Sequence, residues 1–357
     1  MNLVELFAAL PVWGQWGLAS VGMLFGMWLL TKSADIFVDG AVGLATRLKM
    51  PALLVGFIIV GFGTSAPEML VSALAAANGM TPLSLGNAYG SNITNVLLIL
   101  GASMLVAPIV LHRSALRRDI PFLLAMIVLL FCLGQNGFSR LDGCILIGVF
   151  LVYLFWQIGT VLFSRGTVTC DDPEECAEHA SKSMAFILLQ TFGGLALLLT
   201  ASQILVSSAQ FMAEGAAAAA GISQEATQLI VGVTVVALGT SLPELMASFT
   251  AMRHGQPDIA LGNVVGSNCF NICIVAGLAL VIRPAAIESV PSALIWRDPL
   301  MMLGTTLFLA LCGWGAWAVQ KKRGQSGQPI TLSRIWGVIY LAIWLVYTVW
   351  VVLFTRG

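Results

Sequence analysis

The sequence predicts an all-α membrane protein, with about ten transmembrane helices forming two inverted five-helix repeats. Three observations lead there: an apolar excess too large for a water-facing surface, apolar stretches of spanning length, and an internal duplication. Of the 357 residues, 58% are hydrophobic and 10% are charged. A soluble domain carries about 25% charged residues, so a soluble enzyme is excluded. The formal net charge is zero and no basic tract dominates, which leaves no electrostatic footprint for nucleic acid.

A stretch of about 20 apolar residues crosses the hydrocarbon core of a bilayer as a helix. Such stretches fall near 16–38, 43–78, 83–108, 119–135, 141–163, 184–213, 225–252, 258–282, 299–319 and 333–354. The second and seventh are long and interrupted. The first has no basic lead, and Lys32, Asp35 and Asp39 follow it instead of a cleavage site, so it is read as retained. Lys32 is placed at the loop end of that span, where it can snorkel. Counting sides by alternation, one side carries Arg47, Lys49, Arg113, Arg117, Arg118, Arg165, Lys182, Arg253, Lys321, Lys322, Arg323 and Arg334. The other carries Arg140, Arg283, Arg297 and Arg356. Basic loops stay cytoplasmic, so both termini are expected on the non-cytoplasmic side of a bacterial inner membrane. Five of the seven cysteines lie in apolar spans. Cys170 and Cys176 fall in a loop assigned to the cytoplasm, where disulfides are rare.

The two halves are copies. Segment 55–108 aligns with 231–284 without a gap, and 20 of 54 positions are identical. The first copy reads GFGTSAPEMLVS and then LGNAYGSNITN; the second reads ALGTSLPELMAS and then LGNVVGSNCFN. Upstream, Ser33-Ala34 with Asp39-Gly40 resembles Ser208-Ala209 with Glu214-Gly215, one residue out of register. Each half holds five spans, an odd number, so the halves point oppositely through the membrane. The expected organisation is a first repeat over 1–163, a cytoplasmic joining loop over 164–183, and a second repeat over 184–357. Duplication for packing alone would copy Gly, Ala and apolar contacts. Here the identical positions also include Thr, Ser, Pro, Glu and Asn, which are costly in hydrocarbon.

Those residues carry the chemistry. Among the acidic residues, Glu68 and Glu244 are read as the two deep within apolar spans. A charge at the bilayer centre costs about 2.5–3.5 kcal/mol, and no basic residue lies near either in sequence. Each follows a Thr-Ser-x-Pro run. Pro67 and Pro243 have no N–H and clash with the carbonyl four residues back, so both helices are expected to break and free carbonyls near Gly63-Thr64 and Gly239-Thr240. Ser91 and Asn95 share one helix face in the next span, as do Ser267 and Asn271. The set offers carboxylate, hydroxyl, amide and carbonyl oxygens without His or Cys. Soft metals want nitrogen or sulfur; calcium takes six to eight oxygens, and sodium fits the same oxygens with less charge. Broken helices at an ion site and inverted repeats are a transporter design. Two carboxylates in one apolar cavity also let protons compete at low pH. The serine and threonine hydroxyls could instead bond back to their own helices.

At these residues the chain resembles the Ca²⁺:cation antiporter superfamily, and within it the bacterial sodium/calcium exchangers. The paired GTSAPE/GTSLPE and GSNxxN motifs look like that family's two α-repeats, and the resemblance covers nearly the whole chain. It implies antiport of Ca²⁺ against Na⁺ without a cofactor. Glu68 and Glu244 would bind Ca²⁺ beside the carbonyls of Thr64 and Thr240. Ser65, Ser241, Ser91 and Ser267 would serve flanking Na⁺ sites, and Asn95 and Asn271 would complete the central one. The family's first and sixth helices slide to alternate access. Some relatives, notably K⁺-dependent ones, have Asp where Asn271 stands; both symmetric positions are Asn here, which argues against K⁺ co-transport. H⁺-coupled Ca²⁺ exchange on the same site is the nearest alternative, and K⁺-dependent Ca²⁺ exchange is the other.

The expected partners are the two ions and the lipid bilayer, with no obligate protein partner. An enzyme using the two Glu as acid and base would lack any G-x-S-x-G or H-E-x-x-H motif. The acidic run 170–176 lacks EF-hand spacing and is read as a solvated loop. Arg113, Arg117 and Arg118 are read as topology determinants that could also touch headgroups, and Trp336, Trp344 and Trp350 as lipid-facing anchors.

Overall fold

Proline and glycine punctuate the apolar stretches, and the helices begin and end at them. The computed structural model describes residues 11–163, 182–219, 237–322 and 330–354. Helix α1, Val12–Leu48, starts after Pro11 and stops at Lys49, whose φ of 53° ends the turn. It is followed by α2, Ala52–Thr64, α3, Ala66–Ala77, and α4, Thr81–Val106. Strand β1, Ile109–Leu111, precedes α5 over 115–133 and α6, Arg140–Phe163. The second half holds α7, Met184–Ala219, α8, Ala237–Thr240, and α9, Leu242–Arg253. Then come α10, Pro257–Ile282, and α11, Ala293–Lys322, strand β2, Ile330–Leu332, and α12, Arg334–Phe354.

Among the described residues, seven helices are long and apolar enough to cross a membrane; there are eight if α2 and α3, bent by 44° at Ser65, count as one span. The expected span at 119–135 corresponds to α5, which opens with a five-residue π turn before a 14-residue α-helix. The expected span at 225–252 lies partly outside the described residues; α8 and α9 are its described part. The joining loop, with Cys170, Cys176 and the acidic run, lies outside them except for its last residues.

Two expectations need correction. The first span does not stop near residue 38: α1 continues to Leu48, because Asp35 and Asp39 meet the His254 ring instead of ending the helix. Lys32 therefore sits within α1, exposed, and not at its loop end. The fold is also not purely helical. β1 and β2 pair antiparallel, with Val110 opposite Thr331, in segments too short to leave a periodicity.

Contacts between connections fall into two sets. On one face β1 pairs β2, and His112 Nε2 lies 2.9 Å from Asp258 at the start of α10. On the other, the Phe138 N–H donates to the Ala285 carbonyl at 2.8 Å, and the Thr81 hydroxyl to the Arg283 carbonyl at 2.9 Å. Among the described residues the two sets share no connection, as contacts on opposite faces of a bilayer require.

Lipid gives no hydrophobic drive between helices, so close backbone approach through small residues takes its place. Helices α2 and α10 pack main chain to main chain: a Cβ on Gly56 would fall 2.6 Å from the Ile259 carbonyl oxygen, and one on Gly266 would fall on the Phe57 carbonyl. Helices α1 and α7 lie against each other along a seam that includes Gly26, Gly40 and Gly194. The polar motifs lie on α2, α3, α4, α9 and α10, and α4 and α10 are the most buried of the long spans among the described residues.

Candidate cation site

Both proline-bearing helices break where expected. At Ser65 the backbone turns to φ −81°, ψ 4°, and α3 restarts with Pro67 and Glu68 in its first turn. At Ser241 it turns to φ −88°, ψ 5°, and α9 restarts with Pro243 and Glu244 in its first turn. Each carboxylate thus stands at the positive end of a helix dipole, which favours the anion. Pro243 leaves the Gly239 carbonyl without its helical donor, and the Ser202 hydroxyl of α7 takes it at 3.0 Å. That carbonyl, expected to be free, is therefore engaged.

Glu68, Glu244, Thr64, Ser65, Ser267, Asn95, Asn271, Ser241, Ser91 and Thr240 are all buried. Contacts cross between the halves. Ser65 Oγ donates to Glu244 Oε1 at 3.2 Å, and the Thr240 hydroxyl approaches Glu68. Thr64 Oγ1 lies 3.1 Å from Asn263 Oδ1 and 3.4 Å from Ser267 Oγ, but also 3.0 Å from its own Val60 carbonyl. Its single hydrogen serves one of these at a time. Asn95 and Asn271 each open a π-helical turn, Asn95–Ile99 and Asn271–Ala276, a local widening often found at functional sites.

Several of these polar atoms lack a well-formed hydrogen bond. Among the described residues, both Glu68 oxygens, Glu244 Oε2, Ser241 Oγ and both amide atoms of Asn95 and Asn271 are buried without a hydrogen bond of good geometry. Each such atom costs about 1–3 kcal/mol, more if charged. No group of three or more His, Cys, Asp or Glu that could hold a metal occurs among the described residues. The arrangement is two carboxylates with neutral oxygens around them, the donor set of a hard, desolvated cation.

The sequence reading missed two features. The first is Asn263, whose Nδ2 donates to Ser248 Oγ at 2.8 Å and to the Glu244 carbonyl at 3.2 Å. With its Oδ1 facing Thr64, it ties α2, α9 and α10 together. Its repeat-mate Asn87 donates to Ser72 at 3.0 Å, the symmetric contact. The second is a duplicated ion pair. Arg118 bonds Asp119 at 3.0 Å; Tyr153 and Gln157 donate to the same carboxylate, and Arg118 lies over Trp156. In the other half Arg297 bonds Asp298 at 2.6 Å, Tyr347 donates to it, and Arg297 lies over Trp350. Asp119 and Asp298 are buried as well, so Glu68 and Glu244 are not the only buried acids. Arg118 and Trp350 likewise do more than set topology and anchor lipid. The signal was present as Arg-Asp with a nearby Pro and Tyr-x-x-Trp in each half.

The two halves are not in equivalent states. On α9, Ala247 and Thr250 are fully buried, and α1 lies along that helix, with Ala34, Phe37, Val38 and Ala41 also at 0% exposure. The repeat-mates on α3, Val71 and Leu74, are 41% and 56% exposed. Among the described residues α7 makes no comparable packing on α3. Among the described residues, one approach to the central carboxylates is covered and the other is not.

The family model described as sodium/calcium exchanger protein matches residues 18–159 and 187–353. The chain belongs to the sodium/calcium exchanger family. This exchanger-family chain is 36% identical over 302 residues to the putative antiporter CaxA of Alkalimonas amylolytica, covering 82% of this chain and 89% of that protein. It is 33% identical over 345 residues to the inner membrane protein YrbG of Escherichia coli, covering 93% and 97%. A solved structure of the sodium-calcium exchanger NCX_Mj, soaked with 2.5 mM Na⁺ and 10 mM Sr²⁺, matches with a TM-score of 0.74 at 27% identity, over 93% of this chain and 98% of that one. The family is one of transporters, and this member is a multi-pass, helical membrane protein.

Proposed function

We propose that this chain is a secondary antiporter that exchanges Ca²⁺ for Na⁺ across a bacterial inner membrane by alternating access. The observation that carries the reading is the facing pair of broken helices, α2–α3 and α8–α9. They bring Glu68 and Glu244 together in the apolar interior with unbonded oxygens on both. A buried carboxylate of this kind needs a proton or a cation, and two of them balance one divalent ion. In this reading Glu68 and Glu244 hold Ca²⁺, and Asn95 and Asn271 complete its shell. Thr64, Thr240, Ser65, Ser241, Ser91 and Ser267 serve Na⁺ when it replaces Ca²⁺. Ten spans form two inverted repeats, 1–163 and 184–357, joined by the cytoplasmic loop 164–183, with both termini outside. Helices α1 and α7 move over the motif-bearing helices, and the covered approach is the cytoplasmic one.

The names of the relatives, an antiporter and a sodium-calcium exchanger among them, support the reading. Ca²⁺ uptake into proteoliposomes loaded with Na⁺, K⁺ or choline at matched pH tests it. Uptake with internal Na⁺ alone is the expected result. Uptake driven by a pH gradient without Na⁺ would replace it with proton-coupled exchange.

A further inference from the structure

Where α1 covers the cytoplasmic approach, its carboxylates meet one imidazole. His254, in the turn after α9, places Nε2 3.4 Å from Asp35 Oδ1 and Nδ1 3.4 Å from Asp39 Oδ1. Asp35 and Asp39 are one helical turn apart on α1, so they present one face to the ring. Both ring nitrogens thus lie within ion-pair distance of a carboxylate. Only the imidazolium can donate to both; the neutral ring donates to one and turns a lone pair toward the other.

The opposite approach has the same positions with different chemistry. The repeat-mate of His254 is Asn78, and those of Asp35 and Asp39 are Gln210 and Glu214. Gln210 donates to Glu214 within α7 at 3.0 Å, and Asn78 is exposed. The inverted duplication therefore built two matching contacts and gave a histidine to one of them.

We propose that His254, clamped between Asp35 and Asp39, is a proton-operated latch on the cytoplasmic gate, without a counterpart on the outer gate. It rests on the alternating-access reading given above. With His254 charged, the pair of ionic contacts holds α1 against α9 and keeps the cytoplasmic approach shut. With the ring neutral, one contact becomes repulsive and α1 is freed to move. Histidine is the side chain that changes charge between about pH 5 and 8, so cytoplasmic acidification slows turnover by retaining the outward-facing state. The charged groups on the elements packed there are Asp35 and Asp39 of α1, Arg253 beside His254 on α9, and Asp258, which pairs with His112. His254 and Asp35 are about 30% exposed and Asp39 is 42% exposed, and exposed ion pairs are weak. The expected effect is accordingly a few-fold, about three- to fivefold, and not an all-or-none lock.

The test uses the full chain in nanodiscs, carrying Ala247→Cys, a position buried under α1. Maleimide labelling of the peptide containing position 247 is measured at pH 6 and pH 8, with His254 or with His254→Asn. The substitution copies the outer-gate residue, and thiol chemistry is the same in both. The latch requires that His254→Asn raise labelling about three- to fivefold at pH 6 and change it little at pH 8. An equal ratio at both pH values, or no difference between the variants, overturns it. Na⁺-driven Ca²⁺ flux is measured in parallel in proteoliposomes of the unsubstituted chain. Absence of Na⁺-driven flux would overturn the exchanger reading, while the labelling still decides whether His254 closes the gate.

Discussion

Asn263 and its repeat-mate Asn87 occupy equivalent places in the two motifs, yet they are expected to respond very differently to truncation. Asn263→Ala removes three contacts between helices: those from Nδ2 to Ser248 Oγ and to the Glu244 carbonyl, and that from Thr64 to Oδ1. Hydrogen bonds between helices inside a bilayer average about 0.6 kcal/mol each, so the loss is about 2 kcal/mol. Asn87→Ala removes one, to Ser72, about 0.6 kcal/mol. Since 1.4 kcal/mol is tenfold in an equilibrium, the first variant has its working geometry populated about 20-fold less and the second about threefold less. The larger effect falls on the half whose break carries Glu244, so Ca²⁺ affinity is lost along with stability. Initial rates of Na⁺-driven Ca²⁺ uptake, with thermal unfolding in detergent beside them, give both numbers. Equal losses in the two variants would refute the reasoning, because sequence symmetry and not the observed contacts would then set the cost.

Three further outcomes follow from the same contacts. Gly266→Ala puts a Cβ onto the Phe57 backbone, whereas Gly148→Ala meets nothing within 4 Å; overpacking costs about 1–3 kcal/mol, so the first lowers Tm by several degrees and the second leaves it in place. Asn271→Asp adds a third carboxylate to the site and is expected to change the Na⁺ or K⁺ dependence of uptake; an unchanged ion profile would show that this position does not set selectivity. Adding Ca²⁺ at about a hundred times its Kd stabilises the folded state by about 2.7 kcal/mol, and a Tm indifferent to Ca²⁺ would mean that no such site exists.

Much of the fold was legible because lipid imposes simple rules on sequence. Apolar length located the helices, and Pro67 and Pro243 located both breaks to within two residues. Identity between the copies paired the right segments. What stayed hidden depends on contacts distant in sequence. Asp35 and Asp39 looked like the end of a span because nothing local shows that His254 meets them. In the sequence Asp119 and Asp298 are not among the deep acids, because each stands at the edge of its apolar stretch beside an arginine, and repeat identity has faded there. The role of Asn263 is set by Thr64, which is 199 residues away in the chain. For the candidate site, the residue types were readable from the motifs. The free or engaged state of each oxygen was not, as the Gly239 carbonyl bound by Ser202 shows.

The central claim is that Glu68 and Glu244 together form one cation site. Glu68→Gln and Glu244→Gln, each made singly and assayed for Na⁺-driven Ca²⁺ uptake in proteoliposomes, test it most directly. Each removes a buried carboxylate charge that keeps at least one unbonded oxygen, so both variants are expected to fold with undiminished Tm in ion-free buffer and to lose Ca²⁺ exchange entirely. Near-normal exchange by either one would take that glutamate out of the site and contradict the account.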